Sequence, residues 1–269
     1  MALSKRQRAR YLRGGQYGVL VLVVVVAAAI ADWGQLRKAF FNTESIKSMF
    51  PEVITVALKN TVVYTAVGFG FGLLLGLLLA LMRLSSVAPY RWIAIVYIEI
   101  MRGVPALLVF IAVYFGAPIA FQIQFDLLST VMIALGGVGA AYMAETIRAG
   151  IQAVPKGQIE AARSLGMSPL RTNLTVVIPQ AFRIVLPPLT NELILLTKDS
   201  SLIYLLGVAR DQYELTKFGR EALSRSPSIT PLVVAGLSYL IITLPLGHLS
   251  RRLERRTGGK KISVDGGVS

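Results

Sequence analysis

The sequence predicts an all-α membrane protein folded as a polytopic helical bundle, and three observations carry that expectation. Hydrophobic residues make up 54% of the chain and come in blocks rather than in short periodic stripes. Several blocks hold about 18 or more mostly apolar residues, enough to cross ~30 Å of hydrocarbon as a helix. They cannot all hide in one soluble core. Runs such as Leu73-Leu74-Leu75 do not alternate as barrel strands do. Backbone polar groups in lipid must be satisfied internally, so the blocks are expected to be helices.

Six spans are expected, over about 16–33, 55–82, 90–116, 128–150, 185–207 and 228–250. The first follows a basic N-terminus and ends in Ala29-Ile30-Ala31 before Asp32, a pattern shared by a retained anchor and a cleavable signal peptide. A retained anchor is expected, since five further spans already commit the chain to the membrane. The second carries Gly68, Gly72 and Gly76 on one helical face. That spacing permits close helix approach, either within the subunit or at a dimer seam. In the third, Arg102-Gly103-Val104-Pro105 should loosen or kink the helix.

Loop charge sets the orientation. With the N-terminus inside, the cytoplasmic segments hold eighteen lysines and arginines, from Lys5 to Lys261, and the outer segments hold seven. Both termini are therefore expected in the cytoplasm of a multi-pass inner-membrane protein. The same bias accounts for the net charge of +14 without nucleic acid. Cysteine is absent and His248 is the sole histidine, so thiolate chemistry and zinc sites have no material; an interfacial role fits His248. No nucleophile–base set or metal cluster appears, and no cofactor or catalytic residue is expected. Gly258-Gly259-Lys260-Lys261 lacks the spacing and hydroxyl of a phosphate-binding loop, so the chain is expected to bind no nucleotide.

Ionisable residues inside spans are costly, and each is a candidate for function. Glu99 and Arg102, and Glu145 and Arg148, lie at i,i+3 and can neutralise each other along one face, with structural or gating roles. In the fifth span Asn191, Glu192, Lys198, Asp199 and Ser200 are set among leucines and isoleucine. They need either a partner, such as a Lys198–Glu192 bridge, or a water-filled cavity suited to a charged solute.

Between the fourth and fifth spans, Ile159 to Leu165 reads as a short amphipathic helix that Gly166 ends; Ser168 and Pro169 then begin another. So small a helical pair cannot bury its own apolar face and needs a partner groove. Glu160-Ala161-Ala162, Gly166 and Val176-Val177-Ile178-Pro179 resemble the EAA loop of ABC importer permeases. Tyr142 to Gln152, Pro155-Lys156-Gly157-Gln158, Pro179-Gln180-Ala181 and Tyr97 to Pro105 look like the polar amino acid transporter branch.

The resemblance covers about 55–250 and implies a five-helix type I ABC importer core with a coupling loop at about 152–180. The chain departs from it by one extra N-terminal transmembrane helix, which with the basic tail before it and the extracytoplasmic segment after it fills 1–54; residues 251–269 read as a basic cytoplasmic tail. Its implied partners are cytoplasmic ABC ATPase subunits, a second permease subunit (homodimer or heterodimer), and an extracytoplasmic amino-acid-binding protein. It implies that Glu160, Ala161, Ala162, Leu165 and Gly166 couple to the ATPase, and that Glu192 and Asp199 line the substrate pocket with Lys198 and Leu108 nearby. Many relatives carry asparagine where this chain has Val138. An ion-coupled transporter using Glu192 and Asp199 is the rival reading; it would move solute without an ATPase.

Overall fold

The computed structural model describes residues 5–257, with side chains from 12 to 256. The glycine-rich end of the basic tail, with Lys260 and Lys261, lies outside the described residues. Among the described residues every regular element is helical. They run α1 (Lys5–Ile30), α2 (Trp33–Phe40), α3 (Thr43–Met49), a wide π turn (Val53–Leu58) leading into α4 (Lys59–Leu84), and α5 (Ala88–Gly103). Next come α6 (Ala106–Ile111), α7 (Ala117–Phe121), α8 (Leu127–Gln152), α9 (Lys156–Ser164) and α10 (Pro169–Thr172). The chain ends with α11 (Ile178–Asp199), a 3-10 stretch (Ser200–Leu205), α12 (Leu215–Leu223) and α13 (Thr230–Thr257).

Of the six expected spans, four described helices are long and apolar enough to cross a membrane and the bent pair of the third makes five; α11, over the fifth, falls short because Arg183, Glu192, Lys198 and Asp199 interrupt its apolar run. Two span boundaries also move for local reasons. The third span is not one helix over 90–116: its limbs Ala88–Gly103 and Ala106–Phe121 turn by 106°. Pro105 has no N–H to continue the ladder and steers Val104 to an extended φ of −94° and ψ of 134°. The fifth helix starts at Ile178, with Pro179 in its first turn, and gives way at Ser200 to a 3-10 turn.

The centre of the bundle is the α4–α8 seam. A Cβ on Gly72 would lie 2.9 Å from the Gly136 carbonyl, and one on Gly136 would lie 2.8 Å from the Gly68 carbonyl. The two backbones therefore touch, which only glycine permits. The glycine face of the second span is used up inside the subunit, so it is not a dimer seam. Around the seam pack Tyr64, Phe110, Val131, Leu135, Met143 and Leu196.

Beside the α9 end of this seam, Glu145 accepts from Arg148 at 2.8 Å and also pairs with Arg83 of α4. The expected Glu145–Arg148 pair is thus extended to a second helix. The Glu99–Arg102 pair does not form among the described residues: Arg102 stacks on Tyr142 instead, its guanidinium carbon 5.5 Å from the ring centroid. His248 is exposed and its Nδ1 lies 2.8 Å from the Leu244 carbonyl, one turn back on its own helix.

At the end remote from α9, α3 and α12 cap the bundle. Glu214 heads α12, fully buried, accepting from the N–H groups of Thr216 (2.5 Å) and Lys217 (2.6 Å) and from the Tyr239 hydroxyl (2.9 Å). Burial pushes its carboxyl up from 4.5 to about 7, against the hydrogen bonds that favour the charged form. A raised carboxyl stabilises the fold below pH 4.5 and loses that contribution as pH climbs through about 7. The loss is of order 3 kcal/mol at most. Thermal unfolding in detergent should show the native chain losing several degrees between about pH 5 and pH 8, with Glu214→Gln nearly flat.

Candidate functional site

Two features carry the polar groups that packing does not consume. The first is α9. Its Ile159 and buried Ala162 sit at i,i+3 and seat the helix near Val154, Val177 and Ala181. Gln180 of α11 donates to the Gln158 side chain at 2.5 Å, tying α9 to the base of the fifth span. The helix ends where the sequence places its stop. Gly166 takes φ +80°, Met167 N–H bonds the Ala162 carbonyl (3.2 Å) and Gly166 N–H bonds that of Arg163 (3.0 Å). This is a Schellman ending. Arg163 closes the turn on the Met167 carbonyl at 2.7 Å, and Ser168 caps α10 by accepting from Arg171 N–H at 3.3 Å.

With one face seated, the other is free. Glu160 and Ala161 are exposed, Leu165 is 84% exposed and Leu170 69%. Protruding leucines beside a carboxylate with no ion-pair partner among the described residues, on a helix fixed at both ends, make a surface shaped for a protein groove.

The second feature is a cavity of about 430 Å³ at the break in the third span. Its wall is built from Arg102 to Ala106, from Val138, Gly139 and Tyr142 of α8, and from Glu192, Leu195, Leu196 and Asp199 of α11. Glu192 and Asp199 are seven residues apart, two helical turns, and so share one face. Non-helical backbone at membrane depth is tolerated where it lines such a cavity, which is what Val104 and Pro105 do. Tyr97 holds α5 against α8 through a 3.0 Å bond to the Gly137 carbonyl.

Of the residues expected at the substrate site, the fold brings Glu192 and Asp199 together and adds Arg102, Tyr142 and Val138. It leaves the others outside the cavity wall. Lys198 is exposed on another side of α11, and no Lys198–Glu192 bridge forms among the described residues. Asn191 accepts from Ser250 of α13 at 2.8 Å, Ser200 is buried and donates to the Thr197 carbonyl at 2.7 Å, and Leu108 is exposed on α6. Each helical residue turns about 100° from its neighbour, so a contiguous polar cluster cannot all face one side. Glu99 is exposed and outside the wall. The sequence signal for Arg102 was its place just ahead of the helix-breaking proline, but Glu99 at i−3 offered a nearer explanation.

Glu192, Asp199 and Arg102 form no ion pair among the described residues, whereas Glu145 has two. One charge cluster is closed, and the other is open to a solute.

The family model described as "Binding-protein-dependent transport system inner membrane component" matches residues 72–259. The arginine transport system permease protein ArtQ of Bacillus subtilis (strain 168) is 36% identical over 205 residues, covering 76% of this chain and 90% of that protein. The glutamine transport system permease protein GlnP of Escherichia coli (strain K12) is 36% identical over 220 residues, covering 80% and 97%. A solved "amino acid ABC transporter with histidines" superposes with a TM-score of 0.72 at 35% identity, covering 80% of this chain and 98% of that one. The exposed face of α9 and the broken third span thus sit in a scaffold shared with importer membrane subunits, and the chain belongs to the family of binding-protein-dependent transport system inner membrane components, as an ABC importer permease.

Proposed function

We propose that the chain moves polar amino acids into the cell as one half of a translocation path. The free face of α9 docks into a cytoplasmic ATPase subunit, and an extracytoplasmic binding protein delivers the solute at the opposite end. Both termini lie in the cytoplasm, in keeping with the eighteen-to-seven charge bias. Residues 55–250 form the working core, with the 1–54 segment and the 251–269 tail as additions. A second permease, identical or similar, completes the path.

The observation that carries the reading is the seated, capped and tied α9 with its exposed Glu160 and Leu165. ATP binding closes the ATPase pair and carries α9 with it; the spans open outward to take the solute, and hydrolysis returns them. Such a rigid element transmits motion because it is held at a fixed angle to the bundle. The open charge cluster points to the cargo. Two carboxylates and one guanidinium complement an amino acid with one carboxylate and two cationic groups, and Arg102 is placed to meet the carboxylate.

Proteoliposomes test both. Uptake should require the added ATPase and the binding protein; transport by this chain alone on an ion gradient would sink the importer reading. Within the complex, Glu192→Gln and Arg102→Gln should each cut uptake of a cationic amino acid by about tenfold or more, as loss of a charge-assisted contact of ~1.5–3 kcal/mol implies. Lys198→Gln should leave uptake within about twofold, as a surface change does.

A further inference from the structure

The segment ahead of the five-span core contains an element that the transport reading leaves unused. α2 is eight residues long, Trp33-Gly34-Gln35-Leu36-Arg37-Lys38-Ala39-Phe40, and none of them is buried. At 100° per residue Trp33, Leu36 and Phe40 fall within one arc of about 60°, with Arg37 on its flank and Lys38 on the opposite face. Trp33 is 65% exposed and the following Phe41 60%. Neither Arg37 nor Lys38 has an ion-pair partner among the described residues.

Both ends of this helix are tied to the ends of candidate spans, Leu12–Ile30 and Thr230–Arg256. At its start Asp32 caps it by accepting from Gln35 N–H (2.9 Å), and the Trp33 indole donates back to the Ala28 carbonyl of α1 (2.9 Å). Beyond its end, Thr230 at the head of α13 donates to the Ala39 carbonyl (3.2 Å) and accepts from Asn42 N–H (2.9 Å). The Ser45 hydroxyl then meets that of Ser226 at 2.8 Å. One end of α2 is thus held by the last residues of one span and the other by the first residue of another. A helix of ~12 Å suspended between those points lies in the membrane plane.

We propose that α2 is an in-plane helix that binds anionic phospholipid headgroups at the membrane face opposite α9. Trp33, Leu36 and Phe40 enter the upper acyl region while Arg37 and Lys38 reach back to phosphate, the division of labour of interfacial helices. Arg37, Lys38 and Phe41 share a shallow depression of about 450 Å³, also bordered by Glu44, which can take a phosphate with its acyl chain laid on Phe41. Charge selects the lipid: two unpaired cations at the headgroup level favour an anionic over a zwitterionic surface. A second copy of the chain is a poor occupant, because eight residues fall far short of the ~800 Å² per partner of a stable interface. The inference goes beyond the transport reading and stands or falls separately from it.

The chain has two tryptophans, Trp33 and the exposed Trp92, so Trp92→Phe leaves Trp33 as sole reporter when the full chain is reconstituted without its partners. Fluorescence is read in bilayers where either phosphatidylglycerol or phosphatidylcholine carries bromine, at shallow or deep chain positions. Shallow bromine should quench more than deep bromine, and brominated phosphatidylglycerol more than brominated phosphatidylcholine. That preference should fall roughly fivefold for each charge lost in Arg37→Gln and Lys38→Gln. Equal quenching by the two lipids, or quenching by aqueous acrylamide in place of lipid, overturns the proposal. Should the Trp92 variant fail to insert, a photoreactive benzoylphenylalanine at position 40 of the otherwise native chain decides: a lipid-mass adduct supports it. An adduct to a second copy, to the binding protein, or to no lipid overturns it.

Discussion

Gly72→Ala is expected to deplete folded permease from the membrane, although it adds a single methyl group. That methyl would meet the Gly136 carbonyl at 2.9 Å, with Ala140 N and Met143 Cε at 3.4 Å. A backbone carbonyl inside a helix cannot rotate away as a side chain can, so the two helices must separate along their whole contact. Overpacking of this kind costs typically ~1–3 kcal/mol per site, and Gly136→Ala attacks the same seam from the other side. Gly70→Ala is the control, for its Cβ would meet nothing within 4 Å on the lipid side of the same helix. Chemical unfolding in detergent should show the folded-to-unfolded ratio lowered roughly five- to a hundredfold for Gly72→Ala, with less monodisperse protein recovered, and unchanged for Gly70→Ala. Equal yields would mean that α4 and α8 do not approach as described.

Glu160→Lys is expected to separate ATP hydrolysis from uptake. The residue lies on the free face of α9 and has no ion-pair partner among the described residues, so the change should leave insertion and bundle stability untouched. In a docked groove it reverses a charge at a desolvated contact, where losses of ~2–5 kcal/mol are usual. Uptake in proteoliposomes should fall by about thirtyfold or more while the ATPase keeps most of its basal turnover. Leu165→Asp should behave alike, since it removes the most protruding apolar side chain of the turn. Normal uptake in both variants would argue that another surface couples to the ATPase.

Much of this arrangement was legible from residue order, because the bilayer imposes simple rules. Apolar length located five of the six expected spans, one of them as a bent pair, and Gly166 with Ser168-Pro169 located the end of α9 and the start of α10, since local backbone chemistry decides caps and stops. What escaped depended on contacts distant in sequence. Glu99 and Arg102 have pairing distance along the helix, yet the break at Pro105 leaves Arg102 against Tyr142, forty residues on. The polar run around Lys198 looked like one cluster, but helical rotation sends Asn191 to Ser250 and Lys198 away from Glu192. Glu214 had no local signal of its burial, because Tyr239, which helps enclose it, belongs to the last span.

The bond between Gln158 and Gln180 has a mechanical consequence. It fastens α9 to the root of the helix that carries Glu192 and Asp199, twelve and nineteen residues further on. At 1.5 Å per residue that is a lever arm of roughly 18–28 Å. A tilt of about 10° at the root swings the carboxylates by ~3–5 Å, the difference between touching a solute and releasing it. Pro187 and Pro188 lie partway along the arm, where two absent N–H donors make it most compliant. On the proposed reading, a small angular stroke at the α9 end of this helix becomes a displacement of several ångströms at the cavity wall.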